Sequence, residues 1–244
     1  LMDGAAMTAA IAPDCAAPEV NATRICAVFD LDETLIRPKS MLAVLEQYHR
    51  STAASPDQAE RRIRDVRANL TWYVERNANR AAQNRYFYRQ LAGIPVADMA
   101  RAAQQWFEAN RAVLYHDTVV ARLNAHQQAG AVVIVVSGSF AEAIAPIAAD
   151  LSIEHVVCAH LEQRDGRYTG AMLGEPTIGE GKATALRQFL QVHGLSMHGG
   201  FAYGDHDSDI PLLSLADHPV AVGSNAALLD HARRHDWRIS PAVS

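Results

Sequence analysis

Residues 27–36 read AVFDLDETLI, an apolar run that ends in two aspartates, Asp30 and Asp32. Ile25 to Phe29 are rich in β-branched and aromatic types, which predicts a buried strand. In open α/β sheets, ligands bind just beyond the carboxyl ends of strands, where both aspartates fall. Because residues two apart in an extended chain point the same way, both carboxylates can face one pocket. Asp-x-Asp is also common in turns and helix caps, so this stretch alone leaves a structural and a chemical role equally open.

The composition is that of a globular protein. The chain has 244 residues, 49% hydrophobic and 20% charged, and its net charge of -5 gives no reason to expect a nucleic-acid partner. No apolar stretch approaches the roughly 20 residues needed to cross a bilayer, so no membrane partner is expected. Cys15, Cys26 and Cys158 are odd in number and widely spaced, which favours reduced thiols and a cytoplasmic location over a disulfide framework or a zinc cluster. We expect a monomer or a homodimer.

Three regions of the chain differ in pattern. Residues 1–24 are rich in Ala and Pro, lack the features of a secretory signal and predict a loose tail. Over residues 40–115, strand-like runs give way to polar helical periodicity, which predicts an inserted helical module. Residues 50–111 hold eleven arginines and six acidic residues, so a basic module is expected beside an acidic remainder. Residues 25–39 and 116–244 are expected to form the core domain.

After residue 115, strand and helix patterns alternate. The predicted elements are a helix over 118–129, a strand over 132–136, a helix over 140–150, a strand over 156–159, a hairpin turn at 165–166, a helix over 181–193, a strand over 201–203, a helix over 209–215, a strand over 220–222 and a helix over 226–234. Such alternation predicts an α/β fold with a parallel sheet covered by helices on both faces.

Two groups of polar residues stand at predicted strand or helix ends. The Ser-Gly-Ser run at 137–139 follows the strand over 132–136, and its hydroxyls and amides can cradle an anion, although such a run is also an ordinary capping turn. Lys182 opens a helix and is one of two lysines, with Lys39, in a chain of twenty arginines. A lysine kept in such a chain indicates a need for a compact ammonium group.

The run GDHDSD at 204–209 follows another predicted strand. Asp205 at the strand tip and Asp209 near a helix start can both offer oxygen atoms to one hard cation, and Mg²⁺ suits such a site next to a phosphate. His206 could indicate zinc, but a lone histidine among carboxylates is more often solvent-facing or a hydrogen-bond partner of a ligand. The spacing excludes an EF-hand because the required glycine and distal glutamate are missing.

Together these motifs resemble those of the haloacid-dehalogenase-like (HAD) phosphatase superfamily. They are Asp-x-Asp-x-Thr at 30–34, Ser-Gly at 137–138, Lys182, and Gly-Asp-x-x-x-Asp at 204–209, in this order on successive strand tips. The early helical insertion and the Val-Ser-Gly-Ser-Phe stretch make the chain similar to the phosphoserine-phosphatase-like branch, subfamily IB. The resemblance implies a Rossmann-like parallel sheet core with a small helical cap of the C1 type inserted after the first strand.

The resemblance also implies an activity, that of a Mg²⁺-dependent phosphatase acting on a small phosphomonoester through an aspartyl-phosphate. Asp30 matches the nucleophile, and Asp32 matches the acid that protonates the leaving alcohol and then activates water. Asp30, the backbone carbonyl of Asp32 and Asp205 would bind the metal, with Asp209 orienting the site. The residue chemistry agrees, since a carboxylate can serve as a covalent nucleophile while a second one stays protonatable.

The remaining expected site residues bind the substrate. Ser137 and the Gly138 amide match the groups that hold phosphoryl oxygens, and Lys182 matches the cation that neutralises nucleophile and phosphate. Thr34, which is also expected to steady the loop after the nucleophile, belongs to this set together with Lys39 and Ser208.

Two departures from phosphoserine phosphatases concern the substrate. Lys39 stands where those enzymes carry a glutamate thought to meet the substrate amine, and Ser208 stands where they carry asparagine. A cation at position 39 favours a substrate with a second acidic group. Alternatives are a phosphoserine phosphatase proper, a histidinol-phosphate or lipid-phosphate phosphatase, a phosphotransferase to an acceptor alcohol, and, least favoured, a binding module without activity.

Overall fold

The computed structural model describes residues 24–240, so the predicted tail lies outside the described residues except for Arg24. The strands are β1 (Cys26–Phe29), β2 (Val132–Phe140), β3 (His155–Ala159), β4 (Leu161–Arg164), β5 (Arg167–Met172), β6 (Phe201–Gly204), β7 (His218–Val222) and β8 (Arg238–Ser240). The helices are α1 (Ser40–Thr52), α2 (Pro56–Arg76), α3 (Arg80–Arg89), α4 (Val96–Leu114), α5 (Asp117–Gln128), α6 (Ala141–Asp150), α7 (Glu180–His193), α8 (Ile210–Leu213) and α9 (Ala226–Arg234).

The main sheet has six parallel strands in the order β3-β2-β1-β6-β7-β8. β1 lies at its centre, with Phe29 opposite Val135 of β2 and Tyr203 of β6. β4 and β5 form a separate antiparallel hairpin that turns, as predicted, at Asp165 and Gly166, whose φ angles of 50° and 72° suit a tight hairpin turn. The carboxyl ends of β1, β2 and β6 therefore meet at one edge.

Alternate side chains of β1 enter two separate apolar cores. Ala27 and Phe29 pack in a core shared with α1, α4, α5 and α6, whereas Cys26 and Val28 pack in a core shared with α7, α8 and α9. Helices thus cover both faces of the sheet, and the predicted α/β fold with a Rossmann-like core is confirmed. None of the described helices combines the length and apolar character that a bilayer crossing requires.

The helical insertion joins β1 to the rest of the sheet. α1 to α4 occupy residues 40–114, in agreement with the helical periodicity of this region. Ser55 and Asn79 start α2 and α3, because each side chain accepts a hydrogen bond from the backbone N–H three residues on, at 3.2 and 3.1 Å. Residues of α1, α3 and α4 belong to the same buried core as Phe29, so the insertion packs directly on the sheet.

The end of β2 differs from the prediction. The strand continues past Val136 to Phe140, so the Ser-Gly-Ser run is part of an extended segment and is not a capping turn. Its pairing with β3 shifts register between Val136 and Phe140. Such an irregularity re-aims side chains near a strand end, and here it directs the run toward the site described below.

Two further differences lie in the last third of the described chain. The helix predicted over 209–215 is a 3₁₀ turn at Asp207–Asp209 followed by the four-residue helix α8. Side chains hold this turn: His206 Nδ1 accepts from the Ser208 backbone N–H at 3.1 Å, and Asp209 Oδ2 accepts from the His206 backbone N–H at 3.2 Å. β8 was not predicted, because its three residues, two of them exposed, form no apolar run.

Candidate active site

Three adjacent strand ends carry the polar residues at the centre of the sheet. Asp30 follows β1, Asp205 follows β6 and Ser137 lies near the end of β2. The Asp30 backbone N–H donates to the Tyr203 carbonyl at 2.9 Å and so continues the β1–β6 pairing up to Asp30. Because the strands are parallel, residues far apart in sequence meet at one edge.

Three carboxylates form a tight group at this edge. Asp30, Asp205 and Asp209 each offer an oxygen atom, and these atoms lie within 4.8 Å of one another. Lys182, at the start of α7, is their counter-charge: its Nζ donates to Asp30 Oδ1 at 2.5 Å and to Asp209 Oδ1 at 2.7 Å. Lys182, Asp30 and Asp209 are at most 4% exposed. One buried ammonium does not balance three carboxylates, so the group keeps an excess of negative charge.

This imbalance shifts the protonation equilibria. Burial, followed by the charges of Asp30 and Asp209, raises the pKa of Asp205 to about 8. Burial also raises the pKa of Asp30, although Lys182 opposes that rise. For Lys182, burial acts to lower the pKa, but the carboxylates of Asp209 and Asp30 outweigh it and raise the pKa above its ordinary value. A cation placed among the three carboxylates would relieve their repulsion.

The donor set fits a hard divalent cation such as Mg²⁺. All three grouped ligand atoms are carboxylate oxygens, which hard cations prefer over nitrogen or sulfur. The Asp32 carboxylate is not part of this group, which leaves its backbone carbonyl as the ligand that the resemblance implies. His206 is not part of it either, and its Nδ1 already accepts the Ser208 hydrogen bond.

Asp32 has a different environment beside the carboxylate group. Its Oδ1 accepts a hydrogen bond from the backbone N–H of Ser40, the first residue of α1, at 2.9 Å. The Ser40 hydroxyl lies 2.8 Å from that of Ser139, which ties α1 to β2. Partial burial raises the pKa of Asp32 to about 6, against the lowering effect of the hydrogen bonds from Ser40. A carboxyl group with a pKa near neutrality can donate a proton and take one back.

Thr34 and Gly204 hold the grouped carboxylates in position. Thr34 Oγ1 lies 3.1 Å from Asp30 Oδ2 and 2.9 Å from Asp205 Oδ1, so it bridges the two groups. Its fully buried side chain does not line the cavity, so the structure does not support Thr34 as a substrate-binding residue: its hydroxyl is turned to the carboxylates. At Gly204, a Cβ atom would lie 2.8 Å from Asp209 Cβ, so glycine makes room for Asp209.

The Ser-Gly pair of β2 faces the same space. Ser137 and Gly138 both line the cavity that contains the carboxylates. The Ser137 hydroxyl accepts a hydrogen bond from the Ser139 backbone N–H at 3.0 Å, which leaves its own proton free to donate. A Cβ at position 138 would collide with the end of the Ile178 side chain, so any other residue there would require that side chain to shift.

Helix α3 contributes two residues that sequence reasoning missed. Asn84 Nδ2 and Tyr88 Oη both donate to the Gly138 carbonyl, at 3.0 and 2.6 Å. Both side chains are buried, although they belong to the helical insertion. Their spacing of four residues on one helix face was a signal in the sequence, but it carried no hint of the Gly138 partner. Ser40 was missed as well, since its sequence context shows only a helix start.

A cavity of about 210 Å³ joins these groups. Its sheet side is charged and polar, while the insertion supplies apolar residues: Met41, Leu42, Leu70, Val74 and Phe87. Ser208 and Lys39 line the cavity, as do Arg80 and Gln83. A larger open groove of about 980 Å³ lies beside it, but the carboxylate group is not among its lining residues.

Lys39 lies at the exposed rim of this cavity. Its side chain is 56% exposed, and Nζ lies 3.5 Å from Glu33 Oε2. The pairing is weak because both groups are in contact with water. Glu33 therefore offsets the positive charge of Lys39 only weakly, and Arg80 places a second positive charge at the cavity.

Comparison with known proteins gives the family. The model of the haloacid dehalogenase-like hydrolases matches residues 27–214. The chain belongs to this family. The hydrolase is 30% identical over 230 residues to a histidinol-phosphatase of Neisseria meningitidis. The aligned region covers 87% of this chain and 96% of that protein. It is also 28% identical over 226 residues to a phosphoserine phosphatase of Mycobacterium tuberculosis. That aligned region covers 91% of this chain and 72% of the phosphoserine phosphatase.

A solved structure agrees with these relatives. A protein of unknown function from Bordetella pertussis Tohama I superimposes with a TM-score of 0.78 at 28% identity, covering 91% of the hydrolase and all of that chain. The resemblance to the phosphoserine-phosphatase-like branch and the predicted class, a phosphoric monoester hydrolase, are confirmed.

Proposed function

We propose that this hydrolase removes phosphate from a small phosphomonoester, with Asp30 as the nucleophile and Asp32 as the proton donor. The observation that carries the proposal is the contrast between the two carboxyl groups. Burial raises the pKa of both groups, but Asp30 has the Lys182 ammonium at 2.5 Å and lies among the carboxylates where a bound cation would hold it ionised, whereas Asp32 lies outside that group with a pKa of about 6. A nucleophile has to be ionised and an acid has to carry a proton, so these environments suit two different roles.

The proposed reaction has two steps. An Asp30 oxygen attacks phosphorus, the bond to the ester oxygen breaks, and the leaving alcohol takes the proton of Asp32. Asp32, now ionised, takes a proton from water, whose oxygen attacks the aspartyl-phosphate and releases phosphate. Lys182 and the Ser137 hydroxyl stabilise the negative charge of the phosphoryl oxygens throughout.

Mg²⁺ fits the carboxylate group. Asp30, Asp205 and Asp209, with the backbone carbonyl of Asp32, would hold it, and when bound it supplies positive charge against the phosphoryl oxygens. Thr34 and Gly204 support this arrangement through the contacts that fix the carboxylates.

The helical insertion, residues 40–115, acts as the cap that encloses the leaving group. Its apolar wall favours a carbon body, while Lys39 and Arg80 at the cavity favour a second anionic group on the substrate. Histidinol phosphate is the second candidate, because the Neisseria meningitidis histidinol-phosphatase matches at 30% identity over 96% of its length.

A phosphate-release screen tests the proposal. The purified protein is incubated with a panel of phosphomonoesters that includes phosphoserine, histidinol phosphate and esters of hydroxy acids, with Mg²⁺ or with excess chelator. We expect release in Mg²⁺ only, fastest for esters with a second anionic group. Release from no ester, or full activity in chelator, contradicts the mechanism. A strong preference for phosphoserine over amine-free esters contradicts the role given to Lys39.

A further inference from the structure

Two buried hydroxyl groups link the helical insertion to the phosphate side of the site. Ser40 Oγ, at the start of α1, lies 2.8 Å from Ser139 Oγ of β2, and both residues are fully buried. Neither serine is among the described residues that line the cavity. Any effect of this pair on the reaction therefore has to pass through residues that do line it.

Ser40 contacts the proposed acid. Its backbone N–H donates to Asp32 Oδ1 at 2.9 Å, so the position of the helix start sets the position of that carboxyl group. Lys39, the residue before the helix, gives α1 no capping hydrogen bond from its side chain within the described residues. Asp32 thus takes the place of an N-cap side chain, and the Ser139 hydroxyl is a second hold on the same helix end.

Ser139 also contacts the residue proposed to hold phosphate. Its backbone N–H donates to Ser137 Oγ at 3.0 Å and leaves the proton of that hydroxyl for a phosphoryl oxygen. One residue thus bonds Ser137 with its backbone and Ser40 with its side chain. The contacts continue from Ser40 to Asp32, so they join the group proposed to hold the phosphate to the group proposed to protonate the leaving alcohol.

We propose that Ser139 is a positioning residue, which holds Asp32 against the leaving oxygen through its hydrogen bond to Ser40. This inference rests on the proposed function and deepens it, because it assigns how the acid is aligned with a phosphoryl group bound at Ser137.

The two carboxyl groups of the reaction depend on this bond to different degrees. Proton transfer requires donor and acceptor within hydrogen-bond reach, so a small shift of α1 with Asp32 slows protonation of the leaving oxygen. Asp30 is held by Lys182 and Thr34, so its attack on phosphorus does not rely on the position of α1. Loss of the bond therefore affects the acid more than the nucleophile.

The leaving atom of the substrate separates alignment of the acid from general damage to the site. The probes are the fastest alkyl ester of the phosphate-release screen and the same ester with sulfur in place of its bridging oxygen. A thiolate leaves without a proton far more readily than an alkoxide, so only the oxygen ester depends strongly on Asp32. The quantity compared is kcat/KM, because it covers the transfer to Asp30 and not the later attack by water.

Two alanine variants test the bond between the hydroxyls. Ser139→Ala and Ser40→Ala each remove it and keep both backbone N–H donors. We expect kcat/KM of the oxygen ester to fall by about tenfold and that of the sulfur ester by less than about twofold. The double variant is no slower than either single variant, because both substitutions remove the same bond.

Three further variants are the controls. Tyr88→Phe removes a donor to the Gly138 carbonyl, so it disturbs β2 away from the serine pair and slows both esters alike. Ser214→Ala, at an exposed serine whose hydroxyl donates to a carbonyl one helical turn earlier, changes neither rate. Asp32→Asn removes the acid itself and slows the oxygen ester far more than the sulfur ester.

The outcomes are distinct. Equal slowing of both esters in Ser139→Ala, or no slowing of either, overturns the inference, and so do additive losses in the double variant. A preference that Tyr88→Phe shifts as far as Ser139→Ala does overturns it as well. Failure of the proposed function gives another result, in which no ester releases phosphate or Asp32→Asn slows both esters alike. Circular dichroism checks the fold of each variant. If neither alanine variant folds, Ser139→Cys, whose thiol is a weaker donor, is compared with wild type and is expected to slow only the oxygen ester.

Discussion

At the residue scale, Lys182 sets the electrostatics of the site. Its ammonium contacts Asp30 and Asp209 at 2.5 and 2.7 Å in a space almost closed to water. A guanidinium is broader and planar, so it would not fit between two carboxylates held this close. This is a physical reason for a lysine in a chain whose other basic residues, apart from Lys39, are all arginine.

Asp30→Asn tests the nucleophile. The amide neither attacks phosphorus nor offers an anionic ligand, so kcat falls by at least about a thousandfold. Steady-state phosphate release in Mg²⁺ measures it. Asp207→Asn is the matched control, because Asp207 is an exposed aspartate near the same site whose carboxylate lies outside the metal-ligand group. Turnover like wild type in Asp30→Asn would refute the assignment.

Gly204→Ala tests the packing behind the carboxylates. The new methyl would lie 2.8 Å from Asp209 Cβ and 3.0 Å from its Oδ2, so Asp209 has to shift from the position in which it contacts Lys182. Because small displacements of charged groups are costly in active sites, kcat falls by about tenfold to a hundredfold. Kinetics at saturating Mg²⁺ measure the effect, and an unchanged kcat would show that Asp209 is not needed in its observed position.

Lys39→Glu tests the specificity argument. Reversal of the charge at the cavity rim shifts the ratio of kcat/KM between anionic and ammonium-bearing esters by about threefold to tenfold, limited by exposure to water. Arg37→Glu makes the same change in net charge at an exposed residue that is not among those lining the cavity. An unaltered substrate profile in Lys39→Glu would show that the charge at position 39 does not affect specificity.

At the element scale, the end of β2 and helix α3 shape the phosphate side of the site. The strand keeps its extended form through Ser137 and Gly138 with a shift in register, and α3 anchors the Gly138 carbonyl from the insertion. The apolar run over 132–136 predicted the strand, but its continuation depends on pairing with β3 and on α3. Neither is visible in local sequence, because both partners are distant along the chain.

Met99→Ala tests whether α4 is part of the main core. Met99 is fully buried among residues of that core, so truncation costs about 2 to 5 kcal/mol in the free energy of unfolding. Val113→Ala on the same helix is the control: Val113 is 70% exposed, and the change stays within about 0.5 kcal/mol. Urea denaturation measures both, and equal effects would contradict the packing of α4 on the sheet.

At the scale of the whole molecule, the strand order makes the site. β1 lies between β2 and β6, so three strand ends from distant parts of the chain converge, and α7 brings Lys182 to the same point. The carboxylate repulsion created there lowers the stability of the metal-free fold, which links metal binding to folding.

Mg²⁺ is therefore expected to stabilise the hydrolase. At a concentration of a hundred times Kd, binding adds about 2.7 kcal/mol, which raises Tm by roughly 5 to 10 °C for a chain of this size. Thermal unfolding with Mg²⁺ and with chelator measures the shift. Asp205→Asn removes a ligand and most of the shift, while Asp207→Asn keeps it. A Tm that is the same in saturating Mg²⁺ and in chelator would contradict a metal site.

The sequence by itself determined the alternation of strands and helices, the helical insertion and the motifs around Asp30, Ser137, Lys182 and Asp205. These follow from local periodicity and from residue types at strand ends, which physical chemistry links to structure over short distances. Only the tertiary structure decided that Thr34 bridges two carboxylates, that Asp32 is held by Ser40 apart from the carboxylate group, and that Asn84 of the helical insertion holds the Gly138 carbonyl. Those roles depend on partners far away in the sequence, and distance in space is set by packing of the whole chain.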